Sequence, residues 1–356
     1  MKYHESLLEN KHAGHEIIVM ENKNVLLQIN LHGGAYFDFH FKTSPMNPLS
    51  FRSGNPLEPA FKGHFLCFDR WGPPSNGEKN HGFNPHGEIN TQTWDLLDST
   101  KKEDCITKSL MRASLPMAGL QLTRKVQLAD VDPVFLVTEE IKNLNKNGRM
   151  FNIVQHVTLA APFLNRSTIF DNNTEKGFEN KEDGSLHQEE PVLNWPFADY
   201  NGEKMNFRYF TNEWPRVSSF VYNLNDTYGW TTACNPKEKL MIGYIWKVSQ
   251  YPWINYWRSM SNGVPIAFGM EFGTTGLHEP FPILAKKGKI FDRNIFEFID
   301  ADELINKSFI CFLSKIPEDY KGVEKIQIKD SCLTIREKDM TARDITYNLN
   351  KLLMSI

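Results

Sequence analysis

The sequence predicts an all-β protein, a large antiparallel β-sandwich with a short C-terminal helix. Short apolar runs recur at close spacing along most of the 356 residues, separated by Asn, Asp, Gly and Pro. Almost no helical pattern lies between them, which argues for a sandwich or barrel over βαβ units. Aromatic residues make up 12%, and they favour the pleated, half-buried surface of a strand.

Early strands are expected at residues 15–20, 25–29 and 35–41, and a further one begins at 94–97. Strands at 106–111, 120–128 and 134–141 follow, then a long one at 150–159. Within 120–128, Gln121, Thr123, Lys125 and Gln127 alternate with Leu122, Val126 and Leu128, the period-two signal of a half-buried strand. Further strands are read at 217–222, 230–233, 240–248, 254–257 and 266–272, and at 295–299, 309–313, 326–328 and 333–336. The tail differs: Ile345, Leu349, Leu352 and Leu353 fall at helical spacing, predicting a helix over 341–354 packed on the sandwich. The acidic, Asn-rich stretch 172–190 reads as a long loop. No linker, repeat or low-complexity segment interrupts the chain, so residues 1–356 are expected to form a single domain.

Composition narrows the function classes. Apolar residues at 40% and charged residues at 23% suffice for a buried core. A net charge of −3 with no basic face speaks against nucleic acid. Cys67, Cys105, Cys234, Cys311 and Cys332 are widely spaced and form no C-x-x-C pair, so neither a zinc site nor a disulfide framework is expected. That pattern suits a reducing compartment. The polar start at residues 1–6 and the lack of a bilayer-length apolar stretch predict a cytoplasmic protein with no membrane partner.

Four blocks could carry chemistry. In the first, Asp69-Arg70-Trp71 ends an apolar run, Gly72-Pro73-Pro74 turns the chain, and His81, His86 and Glu88 follow in a Gly/Pro/Asn-rich loop. Polar groups on such a loop suit binding, although a structural ion pair and surface histidines would look the same. The second is His156, in a strongly apolar strand, read either as a satisfied core residue or as a proton donor or acceptor near neutral pH. The third is Glu271, an acid inside the apolar, Gly-flanked run AFGMEFG, with Glu279 nearby as a loop alternative. Burial needs a compensating partner and raises a carboxyl pKa. The fourth is the aromatic run Tyr251, Trp253, Tyr256, Trp257, either core or a stacking platform; Trp253 and Trp257 share a strand face.

In order, these blocks resemble the aldose 1-epimerase, or galactose-mutarotase-like, superfamily, from about Leu31 to Pro282. Leu31-His32-Gly33-Gly34-Ala35 is similar to its early Leu-Gly-Gly turn, and Phe68-Asp69-Arg70-Trp71-Gly72 to its Asn-Arg segment, with Asp69 in place of Asn. His86-Gly87-Glu88 before Trp94 resembles its His-Gly…Trp segment; His81-Gly82-Phe83 fits less well. Gln155-His156 with Ala161-Pro162-Phe163 resembles the strand of the acid histidine, although His-x-Tyr-Phe-Asn has become His-Val-Thr-Leu-Ala. Gly269–Thr274 resembles the strand of the catalytic glutamate, with Phe272 where Pro commonly follows.

The resemblance implies a supersandwich fold and a small-molecule sugar as partner. It implies isomerase chemistry on anomers, with Glu271 as base and His156 as acid. Arg70, Trp71, His86, Trp253 and Trp257 would bind the sugar. No cofactor or metal is required, because acid–base chemistry suffices. A non-catalytic sugar-binding protein on the same fold is an alternative. So is a glycoside hydrolase or lyase, whose hydrolytic form needs two carboxyls, from Asp69, Glu88, Glu271 and Glu279, about 5–9.5 Å apart. A phosphosugar epimerase would need Arg52, Arg70 and Arg208 to converge.

Overall fold

The computed structural model describes residues 11–353, apart from 13, 55–58, 104–105, 182–189, 191, 201–202, 212–216 and 340–342. The polar start, Cys105 and part of the 172–190 stretch therefore lie outside the described residues.

Two large antiparallel sheets, one of thirteen strands and one of eight, face each other across an extensive core. Four neighbouring strands of the larger sheet matter most: β1 (His64–Phe68), β2 (Ile153–Ala160), β3 (Trp253–Ser261) and β4 (Val264–Gly273), in the spatial order β1-β2-β4-β3. Alternation divides their side chains. Leu66, Phe68, Ile153, Val157, Met270 and Phe272 join the core between the sheets, while Phe65, Cys67 and Val154 pack together in a separate cluster. Side chains two apart share a face, so β2 sends Val154, His156 and Thr158 to the side away from the second sheet.

The smaller sheet is covered on both faces. Phe135 and Val137 enter the core between the sheets, whereas Val134 and Leu136 join a second cluster with Ile326, Leu333 and Ile335. Those last residues come from a three-stranded sheet, Val323–Lys329, Cys332–Glu337 and Asp344–Asn348. This explains why residues 134–137 are apolar without alternation: both faces are buried.

Three expectations change. The segment 150–159 is two strands in different sheets, Arg149–Phe151 and Ile153–Ala160, parted at Asn152. Asn152 Oδ1 accepts from Thr274 Oγ1 at 3.0 Å, so its side chain serves the break. Among the described residues, the helix predicted at 341–354 is confined to Asn350–Leu353; Asp344–Asn348 is a strand paired with Cys332–Glu337. Its alternating exposure gives Ile345 and Tyr347 to the packed side, and ladder pairing outweighs the helical spacing. The stretch 172–190 contains the strand Thr174–Glu179, buried in part against Ser218–Tyr222. No disulfide joins the described cysteines, and no helix among the described residues is long and apolar enough to cross a membrane.

Candidate functional site

Register assembles the site. His156 stands directly opposite Phe65 on one side and Glu271 on the other, and Asn255 is opposite Glu271. Directly opposed residues share a sheet face, so one row across four strands carries Phe65, His156, Glu271 and Asn255. Over this row lies a cavity of about 350 Å³ lined by Lys62, Phe65, Trp71, Gly72, His86, His156, Trp257, Glu271 and His278, among others.

Glu271 is buried and both carboxylate oxygens are engaged. Oε1 is 3.1 Å from His156 Nε2, and Oε2 accepts a short hydrogen bond from the Trp71 indole N–H. Burial pushes the Glu271 carboxyl up to about 8; the Trp71 bond and the Lys62 charge oppose this. Burial, with Lys62 next, drives His156 well below its ordinary value. The two shifts favour the same state near neutral pH, a protonated Glu271 beside a neutral His156. Glu271 then donates to Nε2, and His156 Nδ1–H can donate to Thr158 Oγ1 at 2.9 Å. The ring is held flat by stacking on Phe65, 4.2 Å between centroids.

His86 stands edge-on to His156, 5.1 Å between centroids. Its Nδ1 accepts from the Gly72 backbone N–H at 3.3 Å and lies 3.2 Å from Cys67 Sγ. Burial, followed by Lys62 and His156, holds it well below its ordinary pKa. A neutral ring whose Nδ1 accepts carries its proton on Nε2, which makes Nε2–H a donor for a ligand.

The turn after β1 supplies the far wall. Asp69 adopts a φ of 60° and Gly72 one of 75°; both lie in the left-handed region, which Gly and, less readily, Asp accept. Asp69 is buried and paired with Arg149 at 2.5 Å; burial still pushes its carboxyl up to about 6. Arg70 differs from its expected role. Its Nε donates to Pro73 O at 2.9 Å and lies 3.5 Å from Glu78, so it braces the turn and does not line the cavity. Trp253 also differs. It is 0% exposed, packs edge-on to Phe178 and donates to Asn294 O at 2.8 Å, in a separate apolar cluster. Tyr251 and Tyr256 are likewise core residues. Trp257 alone of that aromatic run reaches the cavity.

The other acids lie elsewhere. Glu88 accepts from the backbone N–H groups of Met117 and Ala118, at 3.0 and 3.1 Å, and neither Asp69 nor Glu279 lines the cavity. Arg208 pairs with Asp171, and Arg52 lies over Phe61, so the three arginines do not converge. His81 is exposed, its ring on Gly77 O. Lys62 and His278 are cavity residues that sequence reasoning missed. Lys62 lies 3.6 Å over the Phe65 ring, and only its place two residues before β1 could have signalled it. His278 lies seven residues beyond Glu271 and meets Trp71 edge-on at 5.1 Å. Among the described residues, no group of three or more His, Cys, Asp and Glu is placed to hold a metal.

No protein-family model matches the chain, and no curated protein matches it by sequence. Solved structures do match. A galactose mutarotase-like protein from Clostridium acetobutylicum superposes with a TM-score of 0.63 at 14% identity, over 86% of this chain and 98% of that one. A galactose mutarotase-like protein from Lactobacillus casei gives 0.58 at 12%, over 84% and 100%. A galactose mutarotase related enzyme from Lactobacillus acidophilus gives 0.61 at 13%, over 85% and 98%.

Proposed function

We propose that this chain, which has the galactose-mutarotase-like fold, binds a free sugar and interconverts its anomers by proton exchange with Glu271 and His156. The observation that carries the reading is the 3.1 Å pairing of Glu271 Oε1 with His156 Nε2 inside a cavity. Mutarotation needs one proton taken from the anomeric hydroxyl and one given to the ring oxygen. Both oxygens are bonded to the same carbon, so donor and acceptor must sit side by side.

A pair that holds one proton between its members can do both at once. In the resting state favoured by burial, Glu271 carries that proton. Glu271 then gives it to the ring oxygen while His156 takes the anomeric proton, and the C1–O5 bond breaks. After rotation about C1–C2, closure runs the transfers in reverse and restores the pair. This starting state is opposite to the base and acid roles that the family resemblance implies for Glu271 and His156. Each transfer contributes roughly 10²–10⁴-fold. His86 Nε2–H would donate to a sugar hydroxyl, and Trp257 and Phe65 would offer apolar faces to the ring.

Polarimetry on a panel of aldoses tests this. The chain should equilibrate at least one aldose faster than buffer, and Glu271→Gln should lose that acceleration. A rate equal to buffer for every sugar, with binding detected by calorimetry, would leave a sugar-binding protein instead. Hydrolysis by a carboxylate pair draws no support, since Glu271 is the one carboxylate among the described residues lining the cavity.

A further inference from the structure

We propose that Trp71 is a positioning residue that assigns the two oxygens of Glu271 to different tasks. The indole N–H can only donate. The oxygen it contacts, Oε2, must therefore accept, and since the carbonyl oxygen of a protonated carboxyl is the better acceptor, the bond favours the proton of Glu271 on Oε1. Oε1 is the oxygen 3.1 Å from His156 Nε2. Trp71 thus places the exchangeable proton on the axis between the acid and the imidazole. When Oε1 gives that proton up, the bond from Trp71 becomes charge-assisted and strengthens, so it stabilises the carboxylate as it forms.

Trp71 is itself held for this task. It is 5% exposed and packs with Ala35, Phe65, Cys67 and Val154. Its ring meets His278 edge-on, 5.1 Å between centroids. Gly72 lies so close beneath His278 that a Cβ would overlap the imidazole. Arg70, through Pro73 O, closes the same turn. An arginine and a tryptophan that look like sugar contacts in the sequence are thus parts of one brace on the acid. The inference rests on the acid–base reading for its effect on turnover, but not for the hydrogen bond itself.

Two measurements test it. Lys62, His86, His156 and His278 face the same cavity as Glu271, so the response must be traced to the carboxyl. In proton–nitrogen NMR of the unsubstituted chain, one of the eight tryptophan indole signals should move downfield through about pH 8. That movement should vanish in Glu271→Gln. If no indole signal responds, or if the response survives Glu271→Gln, the proposal is overturned. Second, Trp71→Phe keeps a ring but removes the donor. Its kcat should fall roughly 10–100-fold with KM little changed, and the alkaline limb of its pH profile should move upward. A rise in KM alone, with that limb unmoved, would make Trp71 a mere cavity wall and overturn the proposal. If the chain turns over no aldose, the proposed function fails, and the indole titration still decides the role of Trp71.

Discussion

At the scale of the residue, burial sets the chemistry. A carboxyl whose pKa rises on folding binds its proton more tightly in the native state, so the native state loses stability as pH climbs from the unfolded value to the folded one. For Glu271 that window runs from the ordinary glutamate value of 4.5 to about 8. Stability from this group is fully present below the window and declines across it, by at most about 1.4 kcal/mol per pH unit. Glu271→Gln, which cannot ionise, should therefore gain on the parent chain as pH rises from 5 to about 8. Urea midpoints at several pH values check this, and a gap that stays constant with pH would refute it. Glu271 is legible in the sequence because burying an acid inside an apolar, Gly-flanked run is costly unless a partner or a ligand compensates. Lys62 is not, because a lysine before a strand is ordinarily surface, and its burial over Phe65 is a tertiary fact.

At the scale of the element, register positions the pair. A one-residue slip between β2 and β4 would send Glu271 or His156 to the opposite face. Gly269 protects this arrangement. It lies two residues before Glu271 on β4, on the same face, and a Cβ there would overlap Glu271 Oε1. That atom is the end of a flexible side chain, so Gly269→Ala should displace the carboxylate and leave the strand intact. The expected outcome is a mutarotation rate lowered at least about tenfold, with circular dichroism and thermal midpoint nearly unchanged. An unaltered rate would show that the carboxylate tolerates displacement. Most strands are readable from period-two patterning. The strand His64–Phe68 is not, since its residues HFLCF are buried throughout and show no alternation. The tail misleads for the complementary reason: Ile345, Leu349 and Leu352 satisfy a helical period, yet Asp344–Asn348 pairs as a strand.

At the scale of the molecule, the two sheets are joined through polar groups as well as apolar packing. Arg124 Nε donates to Glu139 Oε1 at 2.9 Å, Gln155 Nε2 to Glu139 Oε2 at 2.6 Å, and His64 Nε2 lies 3.1 Å from Gln155 Oε1. This network runs from the smaller sheet to β2 and β1, on the core side of the strands whose other side holds the site. Burial drives His64 down to about 3, so it stays neutral there. Glu139→Leu leaves Arg124 buried without its carboxylate and should cost about 3–5 kcal/mol, read as a lower urea midpoint. Replacing both, Arg124→Met with Glu139→Leu, should recover most of the loss. A double variant no better than the single one would show that Gln155, and not the ion pair, is the essential link.

The sequence by itself determined the all-β architecture and singled out Glu271 as an acid in an apolar run, because patterning and an acid in apolar surroundings are local signals; His156 stood out only through the family resemblance. Only the tertiary structure decided which neighbours face the cavity. Arg70 and Trp253 look like equally good sugar contacts in sequence, yet one braces a turn and the other fills a core. Direction of a side chain depends on strand register and turn conformation, and both are set by contacts between segments far apart in the chain.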